Sequence, residues 1–328
     1  MIGIDLWLTL GGLFAGTVVG LTGLGGAAIV TPMLLLLFNL PASVAVSTDV
    51  VSAAVTKPIG AMVHLRRRTP YLKVVAWLTA GSVPGVLVGT VLFARLTSDP
   101  AGEELLRRMI GVVLIVAVVI SLVRLRLKRY MAQHSHDQIQ MTSFRCSVTL
   151  TVGLLVGILV GLTSVGSGTL IAASLIILFP AMLPSRLVGT DLVQAVPMLV
   201  VGAIAHAGLG EVDASVLLSL LLGQIPGVWL GARVSARYNG NELRWLLLVL
   251  VAAGGIALLG APRWIATAMT VIGCVGLGVP VVVKAVRERQ ERRAEAARKA
   301  AAKARRRASA KAAAKESPAQ GSAGEDAT

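Results

Sequence analysis

Long apolar segments separated by short polar or basic loops make up most of this chain of 328 residues. They lie at about residues 6–38, 42–65, 73–94, 105–123, 147–180, 187–208, 213–235, 243–260 and 264–283. Most of them reach about the 20 residues that an α-helix needs to cross a bilayer. Their apolar positions are continuous rather than alternating, which favours helices over strands. The pattern therefore predicts an all-α polytopic membrane protein.

Two of the segments are longer than a membrane span and are interrupted by glycines. Residues 6–38 contain "GLTGLGGAAIV" and residues 147–180 contain "GLTSVGSGTLI". A continuous helix through residues 6–38 would be about 50 Å long, against a hydrocarbon core of about 30 Å. Glycine also weakens a helix interior by about 1 kcal/mol relative to alanine. We therefore predict that each segment forms a broken or re-entrant helix.

The two interrupted segments begin two copies of one pattern. Gly20–Thr22 resembles Gly161–Thr163 at a spacing of 141 residues, and Thr48-Asp49 resembles Thr190-Asp191 at a spacing of 142. The motif GxxPGxxxG at 81–89 recurs at 223–231, again 142 residues later. This regularity indicates an internal duplication. Small residues at every fourth position let helix backbones approach closely, so the repeated glycine motif predicts a packing seam.

Basic residues predict which loops face the cytoplasm. The stretches 65–73 and 124–130 each hold four Lys or Arg residues, the C-terminal tail is also basic, and 207–215 holds none. The positive-inside rule places the basic stretches in the cytoplasm and 207–215 outside. This assignment requires both interrupted segments to fold back and makes the two repeats inverted. The alternative is a pair of long, kinked helices in parallel repeats, which cysteine labelling at residue 210 would distinguish.

The predicted organisation follows from these boundaries. Membrane repeat 1 covers 1–130, a cytoplasmic linker 131–146 and membrane repeat 2 147–260, each repeat having a broken helix followed by three spanning helices. One extra transmembrane helix (264–283) precedes a basic cytoplasmic tail (284–328), helical at first and disordered at its end. The first residues lack the basic region of a signal peptide and are interpreted as the start of the first membrane segment. We expect a multi-pass protein of the cell membrane with a cytoplasmic C-terminus.

Charge and cysteine content exclude several other classes of function. The net charge is +15, but Lys and Arg cluster at segment ends and in the tail, which is typical of membrane topology and not of nucleic-acid binding. The tail either stays solvated or docks on anionic lipid. Cys146 and Cys274 are the two cysteines of the chain, so we expect no metal cluster and no cofactor. The sequence contains no enzyme motif.

The helix breaks are the first candidate binding site. A break frees backbone N–H groups, and the half-helix that follows has a positive N-terminal end, which suits a small oxyanion. Broken helices at matching positions of two repeats are also typical of a transporter's central site. The candidate residues are Thr22, Gly23, Gly25 and Gly26 in the first break and Thr163, Ser164, Gly166, Ser167 and Gly168 in the second. The alternative is close helix packing through small residues.

Charged residues inside apolar segments are the second candidate group, because such charges are costly in a bilayer and rarely idle. Lys57 is expected to attract the anion, and Asp49 and Asp191, each preceded by a threonine (Thr48 and Thr190), to take part in ion coupling. Lys57 has no counterpart in the second repeat, which predicts an asymmetric site. The alternatives are helix N-capping for the Thr-Asp pairs and snorkelling to an interface for Lys57.

Two histidines, His64 and His206, correspond to each other in the repeats and end their segments. An interfacial histidine is more often a bystander than a proton relay, and we interpret both in that way.

As a set, "GLTGLGGAAIVTPML", "STDVVSAAVTKPIGAMVH", "GSVPGVLVG", "GTDLVQAVPM" and "GQIPGVWLG" resemble the TauE/SafE family of sulfite exporters over residues 8–260. The resemblance implies proton-driven export of a small sulfur-containing anion such as sulfite or sulfoacetate. It also implies that the two breaks, Lys57 and the two Thr-Asp pairs belong to the site. Three alternatives stay open, namely a passive anion channel, a transporter of other organic anions such as carboxylates, and a membrane anchor that uses its basic tail.

Overall fold

A computed structural model describes residues 4–22, 27–134, 141–209, 211–235 and 241–262, together with Trp264 and Ala268. These residues belong to one compact unit of the chain. Both predicted repeats are therefore described, apart from the short gaps. The first break at 23–26, most of the predicted linker, nearly all of the predicted extra helix and the basic tail lie outside the described residues.

All the regular secondary structure in the described ranges is helical, as the apolar pattern predicts. It comprises α1 (Leu6–Thr22), α2 (Ala27–Leu36), α3 (Ala42–Arg66), α4 (Leu72–Leu96), α5 (Pro100–His134), α6 (Ser143–Thr163), α7 (Thr169–Leu178), α8 (Pro184–Gly208), α9 (Ala214–Ser235) and α10 (Asn241–Leu258). Five of these, α4, α6 and the larger parts of α5, α8 and α9, are long and apolar enough to cross a membrane. The fold class is thus an all-α polytopic membrane protein.

Both interrupted segments are broken helices, as predicted. The first segment comprises α1, which is described to Thr22, and α2, which is described from Ala27, and the second changes from α6 to α7 after Thr163. The second halves, α2 and α7, have 10 residues each, which is about 15 Å of helix and half the thickness of a hydrocarbon core. Neither half can cross the membrane alone.

Each short half-helix returns toward the start of the helix before it. The guanidinium carbon of Arg145, in the first turn of α6, lies 5.8 Å from the ring centroid of Phe179, just after α7. In a continuous helix these two positions would be about 50 Å apart. In the first repeat, a Cβ built on Gly11 of α1 would lie 3.1 Å from the ring of Phe38, which follows α2. Both segments are therefore re-entrant hairpins rather than kinked spans.

The two glycine motifs form the packing seams that their spacing predicts. A Cβ on Gly81, Gly85 or Gly89 of α4 would overlap the carbonyl oxygens of α6 from Leu150 to Ile158, in increasing order along both helices. The second motif, in α9, approaches the backbone of α1 in the same way. Helix α6 therefore packs in parallel against α4, and α1 packs in parallel against α9. In both pairs, the helix that begins one repeat contacts a helix of the other repeat.

The corresponding helices α3 and α8 cross in opposite directions. Ser47 near the start of α3 contacts His206 near the end of α8, whereas His64 near the end of α3 approaches Gly189 near the start of α8. Opposite polarity of corresponding helices is what an inverted repeat requires. The inverted repeat and its orientation in the membrane stay predictions.

A cysteine at Glu211, between α8 and α9, is expected to react with a membrane-impermeant maleimide added outside intact cells. The reason is that this loop contains no Lys or Arg and faces outside in the inverted topology. The measurement uses a chain whose Cys146 and Cys274 are replaced by serine. A cysteine at Arg67, in the loop between α3 and α4, is the control and should react only after permeabilisation. The opposite labelling pattern would contradict the orientation.

Replacing Gly85 by alanine is expected to destabilise the protein by about 1–3 kcal/mol, because the new Cβ overlaps the Leu154 carbonyl oxygen and forces α4 and α6 apart. The melting temperature in detergent measures the effect. Gly208→Ala is the matched control, since a Cβ there meets nothing within 4 Å. Equal melting temperatures for the two variants would show that the seam tolerates separation.

Candidate functional site

The carboxylate of Asp49, on α3, is where side chains from both re-entrant hairpins meet. Asp49 is 1% exposed. Its Oδ2 accepts a hydrogen bond from the Thr31 hydroxyl of α2 at 2.7 Å and another from the Ser164 hydroxyl, just after α6, at 2.9 Å. Two donors satisfy much of the need of a buried carboxylate for partners. The contact also fixes the second break against α3.

The second break has a backbone that its residue types explain. Ser164, which directly follows α6, has a left-handed conformation (φ 61°), and Gly166 has φ 114°, a region that favours glycine. The Val165 N–H donates to the Thr163 hydroxyl at 3.3 Å instead of continuing the helix. The segment from Thr163 to Ser167 is buried. The break is thus an ordered interior loop, here called the α6–α7 loop (Thr163–Gly168).

Lys57 brings a positive charge to the same loop. Its ammonium group donates a hydrogen bond to the Ser167 hydroxyl and is attracted by the carboxylates of Asp191 and Asp49. Lys57 therefore points into the protein interior, and the snorkelling alternative is not what the structure shows. The ammonium group, two carboxylates and two serine hydroxyls lie at the interface of the repeats.

The site is asymmetric, as the absence of a second lysine predicts. Leu199 occupies the position of Lys57 in the second repeat, and Gly23 and Gly26 occupy the positions of Ser164 and Ser167 in the first. Among the described residues, the hydroxyl donors therefore come from the α6–α7 loop and from Thr31. Three candidates of the first break, Gly23, Gly25 and Gly26, lie outside the described residues, and Thr22 is described only as the end of α1.

The Thr-Asp pairs do not cap helices, so this alternative is wrong. Helix α3 begins at Ala42 and α8 at Pro184, which places Thr48 and Thr190 well inside these helices. Both threonines are fully buried. The Thr190 hydroxyl accepts a hydrogen bond from the backbone N–H of Tyr71 at 3.0 Å, which joins α8 to the start of α4.

The interpretation of His206 as an interfacial residue is also wrong. Its side chain is 0% exposed, and its ring contacts Ser47 of α3, Gly161 of α6 and Phe93 of α4. His64 agrees better with the interpretation, because it is partly exposed and contacts Thr69 in the following loop at 2.9 Å. The symmetry of the sequence therefore does not extend to the surroundings of the two histidines.

Sequence reasoning missed Thr31 and Ser47, which hold the site together from α2 and α3. Both are hydroxyl residues inside otherwise apolar or small-residue helices and are 0% exposed. A buried hydroxyl needs a hydrogen-bond partner, so its position within an apolar segment was a usable signal. Thr31 lies about one helical turn into α2, which begins at Ala27.

The chemistry of this arrangement suits a small anion and a proton. One ammonium group and several hydroxyls offer hydrogen-bond donors in a buried environment, where charge-assisted hydrogen bonds are strong. Two carboxylates near the ammonium group offer positions for a proton. Over the part of the chain that the structure describes, no three His, Cys, Asp or Glu side chains form a group able to hold a metal ion.

Comparison with known proteins places this chain among membrane transporters. The chain matches the family described as "Sulfite exporter TauE/SafE" over residues 8–258. It is 36% identical over 249 residues to the "Probable membrane transporter protein YjnA" of Bacillus subtilis (strain 168), covering 76% of this chain and 97% of the relative. It is 29% identical over 247 residues to the "Probable membrane transporter protein YdhB" of the same organism, with 74% and 96% covered. No solved structure is significantly similar to the chain.

Proposed function

This chain belongs to the sulfite exporter TauE/SafE family, a family of membrane transporters and not of enzymes, and from that premise we propose that it exports a small sulfur-containing anion. The substrate is sulfite or an organosulfonate such as sulfoacetate. Export is coupled to protons. The anion is held at the helix breaks between the two repeats.

The observation that carries this proposal is the position of Lys57 beside the α6–α7 loop. A dehydrated oxyanion needs a positive charge and several hydrogen-bond donors to offset the loss of water. Lys57 provides the charge, and the Ser164 hydroxyl can turn from Asp49 to the anion. The Ser167 hydroxyl accepts from Lys57 through its oxygen, which leaves its own proton to donate to the anion. Hydrogen-bond donors at a helix break between two internal repeats are typical of a transporter's substrate site.

Proton coupling is supported by the two carboxylates that attract the ammonium group of Lys57. Asp49 and Asp191 both attract Lys57. A proton on either aspartate removes one negative charge that competes with the anion for this lysine. Binding of the proton and binding of the anion are thereby linked through Lys57, and ion coupling is assigned to Asp49 and Asp191, with Thr48 and Thr190 buried beside them.

The test is the flux of labelled sulfite in proteoliposomes, with and without an imposed pH gradient. Gradient-stimulated, saturable flux supports the proposal. Sulfite currents that persist unchanged without a gradient would replace it with a passive anion channel. An absence of sulfite flux from folded protein would exclude sulfite, and the same assay with sulfonates and carboxylates would then identify the anion.

The membrane orientation is part of the proposal. We place the protein in the cell membrane with its C-terminus in the cytoplasm, because the basic stretches 65–73 and 124–130 and the tail then share one side. The tail would contact anionic lipid at about 1 kcal/mol per basic residue near the surface. Deleting residues 285–328 should leave flux intact. Loss of function on this deletion, without any bound anion, would favour the membrane-anchor alternative.

A further inference from the structure

His206 lies in the last turns of α8 and bridges three other helices. Its Nε2 is 2.9 Å from the carbonyl oxygen of Gly161 in α6, and its Nδ1 is 3.0 Å from the hydroxyl of Ser47 in α3. Its ring meets the Phe93 ring of α4 edge to face, with the centroids 4.6 Å apart. A fully buried histidine with a partner at each ring nitrogen is held in one orientation.

The hydrogen bond to Gly161 replaces one that the helix break removes. In a continuous helix the Gly161 carbonyl would accept from the N–H of Val165, four residues on. That N–H donates instead to the hydroxyl of Thr163. The Gly161 carbonyl is thus one of the orphan acceptors at the end of α6, and a buried orphan acceptor is costly. His206 supplies the donor that lets α6 end at this point.

The contact with Gly161 determines which ring nitrogen must donate. The Gly161 carbonyl can only accept, so Nε2 carries a proton and donates it. Nδ1 is then free to accept from the Ser47 hydroxyl. Whichever way the proton between Nδ1 and the Ser47 hydroxyl is placed, the ring connects the end of α6 with α3.

We propose that His206 is a positioning residue for the anion site, which caps α6 at the break and fixes the α6–α7 loop on α3. The end of α6 and the loop that follows it have three attachments to α3. His206 and Ser47 hold the end of α6 at Gly161, Asp49 holds the loop at Ser164, and Lys57 holds the loop at Ser167. Loss of the first attachment lets the loop shift, and the two hydroxyls then no longer present a fixed set of donors to the anion. This role rests on the anion site proposed above.

His64 offers a matched control within the same chain. It occupies the corresponding position of the first repeat, 142 residues earlier. Its Nδ1 contacts the hydroxyl of Thr69 in the loop that follows α3, and Thr69 does not belong to the α6–α7 loop. A substitution of His64 therefore changes a histidine of the same origin without removing a cap from α6.

The first experiment does not depend on any substrate. Hydrogen–deuterium exchange is measured on the peptide that covers the α6–α7 loop, in wild type and in the variants His206→Leu, His206→Gln and His64→Leu. We expect the loop amides to exchange about tenfold faster in His206→Leu, because the Gly161 carbonyl loses its donor. The amide of glutamine can still donate, so His206→Gln should exchange nearly as slowly as wild type, and His64→Leu should not change the loop.

The second experiment measures the concentration dependence of sulfite flux for the same proteins. A loop that has lost its anchor binds the anion less well, so the half-saturating concentration should rise about tenfold in His206→Leu and recover in His206→Gln, with the maximal rate less affected. Ser47→Ala is the alternative variant if His206→Leu does not fold, because it removes only the hydrogen bond between Ser47 and Nδ1 of His206. Its half-saturating concentration should rise about two- to threefold, which corresponds to the loss of about one neutral hydrogen bond.

The outcomes separate this proposal from the proposed function. If the loop exchanges faster in His206→Leu but neither wild type nor any variant transports sulfite, the positioning role stands. The proposal that sulfite is the substrate is then contradicted. Loop exchange in His206→Leu equal to wild type would overturn the positioning role, whatever the flux. A melting temperature that falls equally in His206→Leu and His206→Gln, with an unchanged half-saturating concentration, would reduce His206 to a packing residue and also overturn it.

Discussion

Replacing Lys57 by methionine is expected to lower the flux of sulfite about a hundredfold at subsaturating concentration. The ammonium group is the positive charge that the structure places at the α6–α7 loop, through its hydrogen bond to Ser167. A hydrogen bond to a charged group contributes about 1.5–3 kcal/mol, and each 1.4 kcal/mol is a factor of about ten. The measurement is the initial rate of labelled sulfite flux in proteoliposomes against substrate concentration.

The variant also leaves two carboxylates without their shared cation, so its controls must separate binding from folding. Combining Lys57→Met with Asp191→Asn removes one negative charge together with the positive one and should restore stability without restoring flux. Lys57→Arg keeps the charge and should keep part of the flux. Lys73→Met changes an exposed lysine at the start of α4 and should behave as wild type. Normal flux in Lys57→Met would remove Lys57 from the site.

Repetition is the reason that much of the fold could be predicted from the sequence. The glycine breaks and the two GxxPGxxxG motifs each occur twice at nearly constant spacing, and both kinds of feature depend on local geometry. Gly166, for example, adopts a backbone conformation that favours glycine, and Gly85 sits against a carbonyl oxygen of α6. Residue type alone indicates such places. The seams and the second break are accordingly where the pattern places them.

The partners across the site could not be predicted in the same way. Thr31 and Ser164 reach Asp49 from 18 and 115 residues away in the chain, and Lys57 reaches Ser167 over 110. Segment length and loop charges predict that the two hairpins fold back. No periodicity in the sequence indicates which side chains then meet across α3.

The histidines illustrate the same limit. His206 stands at the end of an apolar segment in the sequence, which suggests an interface. In the structure α8 extends to Gly208, and Phe93 of α4 and Ser47 of α3 cover the ring. Burial of an end residue depends on which helices pack there, and that is a property of the tertiary structure.

Replacing Asp49 by asparagine is expected to abolish the stimulation of sulfite flux by a pH gradient while flux without a gradient continues. Asparagine has nearly the shape of aspartate, and its carbonyl oxygen can still accept from the hydroxyls of Thr31 and Ser164. The loop therefore stays attached to α3, but the side chain can no longer take up a proton. The measurement is the ratio of initial rates with and without an imposed pH gradient, which should fall to about one.

Two further variants define what the result means. Asp191→Asn removes the other carboxylate that attracts Lys57, and a loss of stimulation in only one of the two variants identifies the aspartate that carries the proton. Asp213→Asn is the matched control, because this residue lies in the loop before α9 and its pKa is lowered by the hydrogen bond from the Ser215 hydroxyl and by backbone N–H donors. Asp213 therefore stays ionised throughout the assay, and its loss should leave the ratio unchanged. Stimulation that survives in both Asp49→Asn and Asp191→Asn would move the coupling site away from α3 and α8, and Lys57 would then bind the anion without any link to a proton.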